Sequence, residues 1–545
     1  MKFARPLLYL SPVLVSLFIL GATVFSYSWS STFVNLACSI QDDSFYYFIP
    51  GWNASHGSGF TFGGEKTSGF QPLYELLLTL LGLFCNSLDS LVRLAINSNG
   101  WLFALTALIT GLSLGPLIKS ALPGLRQSAV VLSLNVAALS FICLHTVFFS
   151  SVTGKENALA ALLLAAIICN VFVSSPSSFR SLMVGLLCGL LLLTRIAPSS
   201  IVYAAIAIVL MQGWKRKIFA LSACLAPVII WGVFAQRYFG HLLPMSMLVK
   251  MTSPNHLSAY HSVKPGLKYV WESAKFSLSA GSRFLLLQLK AREAFRSTFQ
   301  IIVMAFALGL SMLGLLRCLF GRQPSRAVVA LLLFDVAGVL CNFLFGAALA
   351  GRSDDMYYTV WYIYDLPVLV AINCGFAVAW LQSEFGGFRF SWAGTAALAL
   401  ACVAYFVDDV AWYQRLRPYD AADTVKFAGS WQVKKFEAAS WFRENVSPAN
   451  PNYRVVSSSA GALSFYLFDH VINLDGLAND SAGEAIRSSY SSIGYAKRIK
   501  PDYLIEICQA ENDFGNLERL HVVPFPQQGN YCIDRFVYDE AGTSQ

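Results

Sequence analysis

The chain has little charge for its length. Only 13% of its 545 residues are charged, while 56% are hydrophobic; an average soluble domain has roughly 25% charged residues. This composition excludes an ordinary soluble protein and indicates an integral membrane protein. The net charge of +8 arises largely from short loops between apolar runs, so it does not indicate nucleic-acid binding.

Several motifs of other enzyme classes are also missing. The sequence has no Walker A loop and no Gly-x-Gly-x-x-Gly after a strand. Its Gly-Leu-Ser-Leu-Gly at residues 111–115 lies inside an apolar run and not at a strand-to-helix elbow. These absences argue against an ATP-driven pump, a dinucleotide enzyme and a serine hydrolase. Only 7 histidines occur, none of them in His-x-His or His-x-x-x-His spacing, so a zinc site is not predicted.

Cysteine shows no pairing motif. None of the 12 cysteines forms a Cys-x-x-Cys pair, and most lie in apolar runs, where cysteine acts as a small apolar side chain. Cys508 and Cys532 lie instead in the polar C-terminal tail. An oxidising compartment would allow them to form a disulfide, and the sequence leaves this open.

The apolar runs predict a polytopic α-helical membrane protein. A bilayer core of roughly 30 Å requires about 20 apolar residues in a helix. Pro72 to Phe84 is apolar but reaches only about 20 Å as a helix, so we expect it to be re-entrant or tilted. We predict 11 crossings, with 13 as the alternative. The predicted spans are residues 7–28, 94–117, 128–149, 157–174, 180–194, 197–212, 218–237, 299–319, 327–350, 359–381 and 391–411.

Lysine and arginine predict which side each loop faces. By the positive-inside rule, the short loops rich in these residues are cytoplasmic and the C-terminal tail is external. We therefore predict a membrane domain over residues 1–411, with external loops at 29–71 and 238–298, and an external domain over residues 412–545. The loops assigned to the inside contain Lys119 and Arg126, Arg180, Lys215 to Lys217, Arg317 with Arg322 and Arg326, and Arg389.

The tail has the pattern of a small extracytoplasmic α/β domain. Residues 433–445 form an amphipathic helix with Phe436 and Phe442 on one side and charged residues, including Lys434 and Lys435, on the other. Strands are predicted at residues 454–457, 471–474 and 503–507, with a helix at 460–468. This order indicates a sheet that is at least partly parallel.

Asp475 and Asn479 follow the second predicted strand of the tail. Open α/β sheets bind ligands at the carboxyl ends of their strands, so these residues are candidate substrate contacts. An Asp-Gly turn in which the aspartate caps its own backbone is an equally good interpretation.

Two adjacent acids, Asp42 and Asp43, follow the first apolar run and precede a loop rich in glycine and aromatic residues. A carboxylate in a low-dielectric wall tends to bind a proton, which suits a general base, or a cation that partners phosphate. Glycines allow the backbone to approach a ligand closely, and aromatic faces suit sugar rings or a lipid chain. We predict a site here. In the simpler alternative, Asp42 caps a helix and Asp43 faces water.

The loop resembles the first external loop of the GT-C superfamily, whose polytopic enzymes transfer sugars from polyprenyl-phosphate donors. The resemblance lies in the Asp-Asp pair with its following aromatic pair, a His-Gly-x-Gly-Phe stretch and Ser-Gly-Phe-Gln-Pro-Leu. It extends along the chain through Gly154 to Glu156, Tyr238 to Pro244 with Lys250, Trp361 with Tyr362, Ser457 to Gly461, and Leu474 to Leu477.

The resemblance implies an inverting glycosyltransferase of the bacterial inner membrane, with its active site on the external face. The donor would be a polyprenyl-phosphate sugar, and the acceptor a cell-envelope glycan, glycolipid or protein. Asp42 would be the catalytic base. Asp43 would support it by holding the acceptor or a divalent cation, Mg or Mn. The predicted substrate contacts are Glu156, Tyr46, His56, Gln71, Arg195, Lys250, Arg352, Trp361, Tyr362, Asp475 and Asn479.

One position departs from the family pattern. Relatives often have an acid two residues after the arginine corresponding to Arg195, and this chain has Ala197. This puts in doubt an ion pair or acceptor contact there.

The alternative function is a transporter or flippase of lipid-linked sugars, which would concentrate ionisable groups near mid-membrane. Asp335 is the only acid well inside a predicted span, so the distribution favours an enzyme.

Overall fold

The computed structural model describes residues 21–22, 24–25, 28–29, 40, 42–142, 154–173, 177–252, 309–320, 325–350, 364–385, 431–488, 492–508, 517–524 and 530–538. The chain forms two compact units. The helical unit contains the described parts of residues 1–26, 96–230 and 259–411. The loop-and-tail unit contains those of residues 27–95, 231–258 and 412–545.

The described helices, numbered in chain order, are α1 Asp42–Ser55, α2 Pro72–Gly82, α3 Leu88–Ala121, α4 Gln127–Ile142, α5 Asn157–Phe172, α6 Ser178–Thr194, α7 Pro198–Val209, α8 Trp214–Tyr238, α9 Met245–Thr252, α10 Gly309–Leu319, α11 Arg326–Ala350, α12 Leu366–Phe385, α13 Trp431–Asn445, α14 Gly461–Leu467, α15 Asp480–Arg487 and α16 Ser492–Ile499. The strands are β1 Thr61–Phe62, β2 Glu65–Lys66, β3 Val455–Ser457, β4 Val471–Asn473, β5 Tyr503–Ile507, β6 Leu517–Val523 and β7 Tyr531–Phe536.

Three described helices, α3, α8 and α12, are long and apolar enough to cross a membrane. Other apolar helices, including α2 and α4 to α7, are shorter. The predicted spans at 94–117 and 218–237 lie inside α3 and α8, and the span at 327–350 coincides with α11. The span at 391–411 lies outside the described residues, and that at 7–28 is described only in part.

Small residues bring two helices of the helical unit close together. Gly185 and Gly189 occupy adjacent turns of α6, and a Cβ on either would overlap a backbone carbonyl of α8, at Ala220 and Cys224. This small-xxx-small spacing allows backbones to approach closely where lipid provides no hydrophobic drive for helix association. The contact between α6 and α8 therefore depends on the absence of side chains at both positions.

The tail forms the sheet that its sequence predicts. Five strands lie in the order β4-β3-β5-β7-β6. Strand β3 pairs in parallel with β4 and β5, whereas β7 is antiparallel to β5 and β6. Val456, Ile472, Leu474 and Leu504 form its core together with Tyr495. The predicted parallel pairing of the first three strands is confirmed.

The two tail cysteines are bonded to each other. Cys508 follows β5 and Cys532 lies in β7, with their Cα atoms 5.1 Å apart. The disulfide joins two neighbouring antiparallel strands on the side of the sheet away from β4. This resolves the pairing that the sequence left open.

Replacement of both Cys508 and Cys532 by alanine is expected to lower the free energy of unfolding of the tail by about 3 kcal/mol, because the disulfide limits the freedom of the unfolded chain. Proteolysis of the purified full chain in increasing urea would measure the change. Cys318→Ala, which removes a free cysteine, is the control. An unchanged urea midpoint for the double variant would contradict the expectation.

Candidate active site

The carboxylate of Asp42 connects three segments of the loop-and-tail unit. Its Oδ1 accepts a hydrogen bond from Lys435 Nζ on α13 at 2.7 Å and from the backbone N–H of Ala462 at 2.9 Å. Its Oδ2 accepts from the backbone N–H of Gly461 at 3.2 Å. Asp42 also begins α1, so one side chain joins the starts of α1 and α14 to the middle of α13.

Two glycines allow the first external loop to lie directly against the tail backbone. A Cβ on Gly461 would overlap the carbonyl oxygen of Asp42, and a Cβ on Gly69 would overlap that of Leu477. The glycines of the loop and of the Ser-Ser-Ala-Gly segment therefore have a packing role. They bring Asp42 and Asp43 to the carboxyl ends of β3 and β4.

Tyr46 lies one turn after Asp42, and its hydroxyl is close to several negative charges. Its buried hydroxyl accepts a hydrogen bond from Asn473 Nδ2 at 2.9 Å. Burial raises the pKa of Tyr46 well above its usual value, and the negative charges of Asp475, Asp42 and Asp43 raise that pKa further. Three carboxylates, two from α1 and one from the tail, therefore act on one hydroxyl group.

Asp475 and Asn479 shape the turn after β4. Asp475 Oδ1 accepts the backbone N–H of Leu477 at 2.8 Å, which is the capped Asp-Gly turn expected as the alternative to a substrate contact. Asn479 is fully buried; its amide donates to the carbonyl of Phe62 and its Oδ1 accepts from Asn473 N–H. The hydrogen bonds of Asn479 thus tie β4 to the β1–β2 hairpin.

Gln71 lies at the same end of the α1–α2 helix pair as Asp42 and Asp43. Helices α1 and α2 run parallel, since Tyr47 packs on Tyr74, with ring centroids 5.5 Å apart, and Gly51 lies against Leu78 one turn further along both helices. The residue before α2 is Gln71, so it stands beside the start of α1. The structure brings this predicted contact to the site.

His56 lies at the far end of α1. The 14 residues of this helix span about 20 Å, which separates His56 from Asp42 and Asp43. Its Nδ1 is 2.9 Å from the carbonyl oxygen of Trp52, and its exposed ring stacks on the Trp52 indole. The structure does not group this predicted substrate contact with the acids.

Arg195 and Glu156 form a buried ion pair in the helical unit. Arg195 Nη1 contacts Glu156 Oε1 and lies 3.4 Å from Asn157 Oδ1. An ion-pair partner therefore exists, although position 197 is alanine. Both side chains are enclosed, so their roles as substrate contacts stay predictions.

The remaining predicted residues give less information. Lys250 belongs to α9, but its side chain is outside the described part of the chain. Arg352, Trp361 and Tyr362 also fall outside the described residues.

Among the residues that are described, no group of three or more histidine, cysteine or acidic side chains could hold a metal ion. A divalent cation at Asp43 stays a prediction.

Lys435 was wrongly assigned to the solvent-facing side of α13. Its side chain is only 2% exposed because it reaches Asp42, 393 positions earlier in the chain. Neighbouring Lys434 is also largely buried and pairs with Glu437 on the same helix. Helical periodicity predicts which side is polar, but it cannot show that a buried carboxylate faces that side.

A second polar contact was also missed. Ser68 donates its N–H and its hydroxyl to Asp480 Oδ1, at 2.9 and 3.0 Å. His241 Nε2 lies 3.3 Å from Asp480 Oδ2, and its Nδ1 lies 2.8 Å from the carbonyl of Leu243. Ser68 Oγ also lies 3.4 Å from His241 Nε2. The pKa of His241 is raised, chiefly by its hydrogen bond to Asp480. The hydroxyl of Ser68 points to the carboxylate, so this cluster is a clasp and not a nucleophilic triad.

Comparison with known proteins gives a partial match. The family described as "Domain of unknown function (DUF8728)" matches residues 424–540. No curated protein matches the sequence. Among solved structures, the chain resembles ArnT from Cupriavidus metallidurans bound to undecaprenyl phosphate, with a TM-score of 0.42, 12% identity and coverage of 97% of this chain and 99% of that one. ArnT from the same organism in the apo state gives 0.40, 11%, 92% and 94%.

Lys435→Met is expected to destabilise the loop-and-tail unit by about 3 kcal/mol, because it leaves the carboxylate of Asp42 partly buried without its cation. Thermal and urea unfolding of the purified chain would measure this loss. Lys434→Met is the matched control, since it removes the neighbouring amine and an ion pair within the same helix. Equal effects of the two substitutions would show that the Asp42 pair is not special.

The clasp at His241 is expected to make stability depend on pH. A folded-state pKa raised above the ordinary value of about 6.5 gives a contribution that is complete below that value and is lost as pH rises through the folded pKa. The thermal midpoint should therefore decrease as the pH is raised from about 6.5 through the folded pKa. This decrease should be larger in the wild type than in His241→Gln or Asp480→Asn. Glu484 also raises the pKa of His241, so Glu484→Gln should reduce this dependence only slightly. The same pH dependence in His241→Gln as in the wild type would exclude the clasp as its source.

Proposed function

We propose that the protein is an inverting glycosyltransferase that moves a sugar from a polyprenyl-phosphate donor to a cell-envelope acceptor. One observation carries the proposal: the buried hydroxyl of Tyr46 donates to Asp42 Oδ2 at 3.5 Å. Burial, followed by the negative charges of Asp475, Asp42 and Asp43, raises the pKa of Tyr46. Acids gathered at one partly enclosed point match the needs of proton abstraction. The resemblance of the surrounding loop to the GT-C superfamily adds the substrate class.

In this proposal Asp43 is the general base, in place of Asp42, to which the family resemblance gives that role. Each oxygen of Asp42 already accepts at least one strong hydrogen bond, from Lys435 or from the backbone of α14. Because both of its oxygens are engaged, the Asp42 carboxylate is fixed in place, which suits a positioning role. Asp43 follows directly in the first turn of α1, is half-buried and points about 100° away around the helix. Asp42 would then fix the start of α1, and with it the direction of Asp43.

The reaction proposed is a single displacement. Asp43 takes the proton of the acceptor hydroxyl while its oxygen attacks the anomeric carbon. The bond from that carbon to the phosphate oxygen breaks, and the polyprenyl phosphate leaves with the electron pair. Attack opposite the leaving group inverts the anomeric centre. Apolar helices such as α3 and α8 suit a donor that resides in the membrane, and a divalent cation beside Asp43 would stabilise the departing phosphate.

Asp43→Asn is expected to lower sugar transfer about 100-fold or more, because an amide cannot accept the proton. Transfer would be measured with the purified full chain and a radiolabelled polyprenyl-phosphate-sugar extract. The thermal midpoint should stay near that of the wild type. Asp42→Asn should instead lower the thermal midpoint and, at a temperature where it is folded, retain more activity than Asp43→Asn.

The control is Glu444→Gln, which removes an exposed carboxylate of α13 and should leave both transfer and stability unchanged. Full transfer by Asp43→Asn would overturn the assignment of the base. An inactive but fully stable Asp42→Asn would reverse the roles of the two acids. Full transfer by both variants would overturn the proposed mechanism.

The alternative, a transporter or flippase of lipid-linked sugars, has one observation in its favour. In the helical unit, Ser311 donates to Asn373 Oδ1 at 2.6 Å, and Asn373 donates to Asp335 Oδ1 at 2.9 Å. This links three apolar helices, α10, α12 and α11, through polar side chains, as transport pathways often do. The transfer assay distinguishes the two, since a flippase would move the lipid-linked sugar without forming a new glycosidic bond.

A further inference from the structure

Three arginines line one pocket in the helical unit. Arg180 comes from the first turn of α6, Arg216 from the start of α8 and Arg326 from the first position of α11. The pocket encloses about 260 Å³ of empty space, part of which opens to solvent. These residues are far apart in the sequence, so only the packing of the helices brings them together.

Among the described residues, no acidic side chain lines this pocket. Its other polar lining groups are neutral and include Asn170, Ser177 and Gln212. Two of the arginines donate to backbone carbonyls: Arg180 to that of Val173 at 3.3 Å, and Arg216 to that of Gln212 at 3.5 Å. The described lining residues therefore contribute three positive charges and no negative one.

Arg326 has an unused donor at this place. Its Nη2 is buried and has no hydrogen-bond partner within the described part of the chain. A buried donor without a partner is unfavourable, and more so when the group is charged. Like charges close together add repulsion. An anion in the pocket would remove both costs.

The positive-inside rule explains why these loops contain cations, but it does not explain their convergence. Arg317 shows the ordinary case. It lies at the end of α10, is 67% exposed, and pairs with Glu384 on α12 at 3.0 Å. The pocket arginines are instead half-buried and line one pocket. Basic pockets between helices on the cytoplasmic side of membrane proteins are typical sites for anionic headgroups.

We propose that this pocket binds a phosphate group, either in the headgroup of an anionic membrane lipid or as free phosphate. Guanidinium groups match the geometry of phosphate oxygens, and three of them neutralise its charge. This site lies in the helical unit and is independent of the proposed transfer reaction.

Native mass spectrometry of the purified full chain in neutral detergent would test the proposal. The probes are phosphatidylglycerol, phosphatidylcholine and inorganic phosphate, with thermal midpoints recorded in parallel. We expect retention of phosphatidylglycerol over phosphatidylcholine if the source is a lipid. Stabilisation by millimolar inorganic phosphate without a lipid preference would indicate free phosphate. Binding of the favoured probe should weaken with rising salt.

Arg326→Gln is expected to weaken binding of the favoured probe about tenfold, since one charge-assisted hydrogen bond is lost. Arg326→Lys should retain part of it, and Arg216→Gln provides a second test on another helix. Arg317→Gln is the matched control and should bind as the wild type does. The proposal is overturned if no probe is preferred, or if Arg326→Gln and Arg216→Gln both bind normally while folded.

Discussion

The organisation of the loop-and-tail unit depends on one buried charge contact. The carboxylate of Asp42 is neutralised by Lys435 and bound by the first amides of α14. A partly buried carboxylate is costly unless it is paired and hydrogen-bonded, so the first external loop and the tail need each other in this arrangement. The glycines at 69 and 461 allow the approach that the contact requires. Asp43, Tyr46 and the turn after β4 are positioned as a consequence.

Neighbouring acids with different partners can have different functions. Asp42 and Asp43 are adjacent in the chain and share the first turn of α1. Lys435 and two backbone amides donate hydrogen bonds to Asp42 and fix its direction. Asp43 leaves the helix at another angle and keeps its charge close to Tyr46 and Asp475. A pair of acids that sequence cannot separate thus becomes, in our proposal, a positioning residue and a base.

Arginines of the helical unit occur in two different surroundings, one with an acidic partner and one without. Arg195 meets Glu156 in a buried pair, so its charge is compensated within the protein. Around Arg326, three guanidinium groups converge without an acid among the described lining residues. Buried charge requires a counter-charge, so the first arrangement is complete by itself, and in our proposal a phosphate group completes the second. The alanine at position 197, where relatives often have an acid, predicted neither the Arg195–Glu156 pair nor the arginine pocket.

The sequence by itself determined the properties that depend on local composition and periodicity. It predicted the apolar helices now seen as α3, α8 and α11, the short helix after Pro72, and the strands β3, β4 and β5, because length, alternation and hydropathy act on neighbouring residues. It also drew attention to Asp42 and Asp43. Tertiary structure alone decided the rest: the disulfide of Cys508 and Cys532, the burial of Lys435, the distance of His56 from the acids and the meeting of the three pocket arginines. Each of these depends on contacts between residues far apart in the chain, and such contacts leave no periodic signal in a single sequence.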